Sequence, residues 1–142
     1  MNKIFTLLNK LGRKRVILDR VENKPYLERY YLFLRNRKKF PFNIFLHKFL
    51  RSDAAELHDH PWPYFSLILK GGYWETTPEG RFWRGAGYFQ ICKPNSLHKL
   101  ELKPNVPAWT LFIPGRKHRE WGFIVNGKWM HHLKYFEWRK NA

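Results

Sequence analysis

A chain of 142 residues, 44% hydrophobic and 18% aromatic, has material for one packed core and leaves no room for a second, which excludes a disordered chain and a two-domain enzyme. Its one cysteine excludes an intrachain disulfide and a thiolate-built metal site, and fits a reducing compartment. The formal charge of +16 suits a negatively charged partner, nucleic acid or another polyanion, and equally a solvated basic face, without choosing between them.

In chain order, Ile4, Phe5, Leu7, Leu8 and Leu11 recur at helical spacing, so residues 2–12 are predicted as a short amphipathic helix ended by Gly12. That stretch lacks the long apolar run and the cleavage site of a signal peptide, and no segment reaches the roughly 18 apolar residues of a membrane span. The expected location is cytoplasmic. Two basic clusters follow, Lys10 with Arg13, Lys14 and Arg15, and Arg35 with Arg37, Lys38 and Lys39. Residues 15–20 and 26–34 read as extended segments, and their edges offer a surface for a homodimer.

Between residues 42 and 133, short hydrophobic runs alternate with turn chemistry at 70–72, 77–80, 85–87, 93–96, 103–105, 114–115 and 126–127. A turn roughly every 8–12 residues predicts an antiparallel sandwich or barrel. The pair Asn126-Gly127 predicts a hairpin joining 121–125 to 128–133.

Two histidines in the segment Leu57-His58-Asp59-His60-Pro61-Trp62 stand two residues apart, so in an extended strand both rings project from one side. Further on, His98-Lys99-Leu100-Glu101-Leu102-Lys103 puts His98 on the leucine face, which points its imidazole inward. Three imidazoles can chelate zinc, iron, nickel or copper; the alternative is ordinary hydrogen-bonded core or surface histidines. Asp59 alternates away from its neighbours and suits a supporting role. His47, between Phe45 and Phe49, reads as a core histidine first and a fourth ligand second. His118, His131 and His132 carry no assigned role, and Cys92 reads as a small buried hydrophobe.

Residues 58–98 resemble the two blocks of the cupin superfamily (RmlC-like). The first block is matched by His58-Asp59-His60 followed by a strand ending at Gly71-Gly72. The second is matched by Gly87, then Pro94-Asn95-Ser96-Leu97 and His98, with a turn one residue short and Ser96 in place of a glycine. From Tyr26 through Trp129 the chain is similar to small bacterial and phage cupin-like proteins, a likeness that carries no activity across. It implies an all-β, double-stranded β-helix, a jelly-roll-like barrel over 42–133, with residues 1–12 as a helical extension.

It also implies a metal site of His58, His60 and His98, while the glutamate position of the first block falls at Tyr64 or Phe65. Three neutral imidazoles leave the charge of a divalent cation uncompensated, which suits Fe foremost, or Zn, Mn or Ni, with an anionic small-molecule substrate. The leading expectation is an oxygenase-type enzyme, with Tyr64 as proton donor and Trp62 and Trp109 lining the substrate pocket. The alternatives are a non-catalytic module binding a small ligand or nucleic acid, and a metal-free sugar epimerase or isomerase.

Overall fold

The computed structural model describes residues 2–19, 23–37, 40–53 and 56–141. Arg20, which closes the first extended segment, and Lys38 and Lys39 of the second basic cluster lie outside them. Helix α1 (Asn2–Lys10) stops before Gly12, whose φ of 69° suits a residue without Cβ. Its Phe5 ring stacks on Trp109 at 4.9 Å and meets Tyr30 at 5.1 Å, while Ile4, Leu7 and Leu11 stay exposed. The helix is thus held mainly by an aromatic clasp.

The strands are β1 (Lys14–Leu18), β2 (Pro25–Tyr31), β3 (Phe45–Phe49), β4 (Tyr64–Lys70), β5 (Gly72–Thr77), β6 (Gly80–Gly85), β7 (Phe89–Cys92), β8 (Lys99–Leu102), β9 (Ala108–Pro114), β10 (Gly122–Val125) and β11 (Lys128–His131). They form a six-stranded sheet in the order β1-β2-β3-β9-β4-β7, a three-stranded sheet β6-β5-β8 and the hairpin β10-β11. Every pairing is antiparallel. The sheet therefore begins at Lys14, well before the residue-42 boundary read from turn spacing, because β2 pairs with β3 from Leu27↔Phe49 to Tyr31↔Phe45.

Period-2 alternation decides what faces inward. Tyr64, Ser66 and Ile68 of β4, Phe45 and His47 of β3, Ala108 and Thr110 of β9, Tyr73 and Glu75 of β5, and Leu100 of β8 are all buried. Ile68, Tyr73, Leu100 and Ala108 pack as one cluster between the two larger sheets. The chain crosses from β4 to β5 at Gly71, whose φ is 78° and where a Cβ would collide with the Pro107 carbonyl. Only glycine meets both demands.

Asn126 and Gly127 take φ of 51° and 79°, the pair of positive values that a tight two-residue hairpin requires. The chain then departs from expectation: extension ends at His131, and helix α2 (His132–Lys140) follows. His131 caps that helix by accepting from the Leu133 N–H at 3.2 Å, a role serine or aspartate usually takes. Tyr135, fully buried, stacks on Phe123 at 3.8 Å and fastens the helix to the hairpin. The sequence signal was weak because nine residues with scattered aromatics show no clear helical stripe.

Asp59 ties this C-terminal unit to the histidine segment. Its buried carboxylate accepts from the Gly122 N–H at 2.7 Å, Trp129 Nε1 at 3.0 Å and Arg119 at 2.5 Å. Asp59→Ala leaves the buried Gly122 N–H, the half-exposed Trp129 indole and the Arg119 cation without their acceptor, so a loss of about 2 kcal/mol, roughly 6 °C in Tm, is expected in thermal unfolding. A change below about 1 kcal/mol would show the anchor to be ornamental.

Candidate metal centre

His58 pairs with His98 across an isolated antiparallel bridge, each backbone N–H donating to the other's carbonyl at 3.0 Å. Directly opposed residues of such a bridge present their side chains on one face. His60 shares that side with His58 by the two-residue period, and its N–H is held by the Pro94 carbonyl at 2.9 Å. The ring centroids lie 5.3 Å (His58 to His60), 4.9 Å (His58 to His98) and 4.9 Å (His60 to His98) apart. One nitrogen from each ring falls within 4.8 Å of the others. The three imidazoles read from the sequence do converge.

Their protonation suits ligation. Burial, with the neighbouring histidines adding to it, pushes His60 well below the usual imidazole range; burial likewise lowers His58 to about 4. A metal takes the neutral ring, and at neutral pH these two rings are neutral without one. His60 Nδ1 is buried and has no hydrogen-bond partner among the described residues, an uncommon state for a buried polar atom. An orphaned ring nitrogen in a cluster of three neutral imidazoles is a donor set that fits a borderline divalent metal.

The carboxylate missing from the expected ligand position has a counterpart that the sequence reading missed. Glu75 of β5 is buried and accepts from His98 Nδ1 at 2.8 Å, Gln90 Nε2 at 3.1 Å and Arg84 Nε at 3.1 Å. Burial alone would raise its pKa; the hydrogen bonds and the His98 charge outweigh it and hold the carboxyl at about 2. With Nδ1 engaged by Glu75, the other nitrogen of His98 is left for ligation, the carboxylate-histidine arrangement of many metal sites. The signal was present: period 2 from Tyr73 puts Glu75 on the inward face, where an unpaired acid would be costly.

The rings line an interior cavity of about 150 Å³, together with Trp62, Phe112 and Arg29. An adjoining hollow of about 420 Å³, bounded by Glu75, Phe82, Asn95 and Leu97, shares Tyr64, Gln90 and His98 with it. Trp62 stacks over His60 at 5.5 Å. Tyr64 lies with its ring 4.7 Å from that of His60. Burial, reinforced by the Cys92 thiol to which its hydroxyl is paired, drives the phenol far above its ordinary range. Tyr64 is therefore protonated at neutral pH and able to hold a hydrogen bond.

Trp109 is not brought to the cavity. On β9 the inward positions are Ala108 and Thr110, so Trp109 faces out, covered by Phe5 of α1 and by Lys48 at 5.2 Å. Trp129, on β11, donates to Asp59. His47 faces the cavity, but its Nε2 accepts from Arg29 Nε at 3.1 Å and stays outside the converging trio. Glu120, His131 and His132 form a second grouping within 4.8 Å. There His131 Nδ1 is committed to capping α2, which leaves the proton on the nitrogen facing Glu120 at 3.5 Å and opposes ligation.

The buried neutral histidines give the metal-free protein a defined pH response. An unfolded histidine takes a proton near pH 6.5, whereas folded His58 resists until about 4. Between these values the unfolded state binds more protons, so stability falls as pH falls, by about 3 kcal/mol from His58 alone. Urea midpoints at pH 7 and 4.5 should differ accordingly, and His58→Ala should flatten the dependence. An unchanged midpoint in the native chain would show that the rings are not held neutral.

No protein-family model matches the chain, and no curated protein sequence matches it. Solved structures do. The polyketide cyclase RemF from Streptomyces resistomycificus superposes with a TM-score of 0.60 at 12% identity, over 80% of this chain and 78% of that one. A sugar phosphate isomerase of the cupin superfamily from Silicibacter pomeroyi gives 0.55 at 14% identity, over 68% and 64%. FeII HppE gives 0.56 at 14% identity, over 72% and 57%. The chain thus spans under two thirds of the isomerase and of HppE.

Proposed function

On the cupin fold that this chain adopts, we propose that His58, His60 and His98 hold a divalent transition metal and that the protein is an oxygenase-type enzyme for a small anionic molecule. The observation that carries this reading is the convergence of three imidazoles on one cavity, one ring nitrogen orphaned, with no carboxylate among the candidate ligands. Iron is the first choice, with zinc and nickel sharing its preference for imidazole and manganese as a further candidate. When bound, the metal supplies Lewis-acid or redox chemistry.

The chain's own side chains do the rest. Glu75 orients His98 and stays ionised. Trp62 and Phe112 give the cavity apolar walls, which lowers the local dielectric and strengthens electrostatic interactions inside. Tyr64 offers a hydroxyl that stays protonated. Three neutral donors leave two positive charges on the centre, so an anionic substrate completes the charge balance that a ligating glutamate would have supplied. The expected result of metal supplementation and elemental assay is about one equivalent of a transition metal per chain; less than about a tenth overturns the reading.

A further inference from the structure

Among the described residues lining the histidine cavity, Arg29 is the one lysine or arginine, and its charge is unanswered. It sits on β2 directly across from His47 on β3. Its Nε donates to His47 Nε2 at 3.1 Å, and its guanidinium carbon lies 4.3 Å from the centre of the Phe45 ring. Tyr31 is its other polar neighbour. The one aspartate on the cavity wall, Asp53, is engaged by the Tyr26 hydroxyl and, at 2.7 Å, by the Leu100 N–H. Arg29 makes no ion pair with any described carboxylate within 4.0 Å.

Arg29 is partly buried, and holding a cation there among neutral groups is unfavourable unless a group of opposite charge completes the pair. A guanidinium has five N–H donors, of which the Nε–H is spent on His47, and its planar fork matches a carboxylate. His47 positions it. Because Nε2 of that ring must accept from Arg29, the ring proton sits on Nδ1, and burial together with the Arg29 charge keeps the ring neutral.

We propose that Arg29 binds the carboxylate of a small monoanionic substrate, whose other end lies against His58, His60 and His98. The cavity sets the size: about 150 Å³ lies below the roughly 300–1,000 Å³ of pockets for drug-sized ligands and suits a small carboxylate. The inference deepens the proposed function and rests on it for the far end of the substrate, whereas carboxylate capture at Arg29 needs no metal.

Titration calorimetry with butyrate and its neutral isostere butyramide separates the two claims. Metal-free native protein should bind butyrate at least about tenfold more tightly than butyramide, and Arg29→Met should reduce that preference below about threefold while leaving metal uptake unchanged. Equal binding of the two probes by the native chain overturns the proposal, as does a preference that survives in the variant.

Should Arg29→Met fail to fold, phenylglyoxal labelling of the native chain decides. Butyrate, and not butyramide, should protect the peptide carrying Arg29, and absence of protection overturns the assignment. A protein that keeps the carboxylate preference but takes up no metal sinks the metal reading and leaves Arg29 standing. One that binds metal without the preference does the reverse.

Discussion

Replacing His60 with alanine is expected to abolish stoichiometric metal binding while leaving the metal-free fold intact. Orienting partners of a metal ligand typically contribute 10- to 100-fold in affinity, so losing a ligand itself should cost at least about 100-fold. His60 is the cleanest site for the test. Its Nδ1 has no partner to strand, and a buried polar atom without one is unfavourable to begin with. The alanine variant therefore removes a desolvated ring without orphaning another group. His58→Ala should lose metal equally. His98→Ala should lose metal and stability together, because Glu75 then forfeits one of its three donors. Competition against a chromophoric chelator measures all three, and a His60→Ala affinity within about threefold of the native value would remove that ring from the site.

Glu75→Gln should produce the second large effect, and in two observables at once. His98, Gln90 and Arg84 all donate to this carboxylate. An amide of the same shape offers one acceptor oxygen and turns its NH₂ toward a donor. The Arg84 side chain, 22% exposed, then lacks its counter-ion, and a loss of about 3 kcal/mol follows, the lower end of the range for breaking a buried pair. Metal affinity should fall 10- to 100-fold, because the second nitrogen of His98 is no longer fixed in its ligating tautomer. Acid probes the same network. With its pKa held at about 2, Glu75 contributes stability that is complete above its unfolded value near 4.5 and lost as pH falls toward 2. A Glu75→Gln protein with native metal affinity would confine Glu75 to packing.

The asymmetry between Asp59 and Glu75 shows how far alternation reaches. Both acids are buried and triply bonded. Asp59 was read as facing away from the histidines because its two neighbours in sequence are the reference. Glu75 went unread as a partner of His98, since nothing local says that β5 and β8 pair, bringing Glu75 opposite Leu100, two residues from His98. Trp109 failed for the related reason that its strand's inward face is decided by what lies across the sheet, and α1 covers the other side.

The sequence by itself determined the antiparallel β architecture, the terminal stop of α1 at Gly12, the hairpin at Asn126-Gly127 and the shared inward side of His58, His60 and His98. These depend on turn residues with positive φ and on period-2 geometry, both of which act within a few residues of chain. The tertiary structure alone decided that β1 and β2 extend the large sheet, that α2 closes the C-terminal unit, that Glu75 fixes His98, and that Arg29 shares their cavity. Those outcomes depend on which strands lie side by side, a choice set by burial and charge summed over the whole core, and side chains far apart in sequence become partners only once that choice is made.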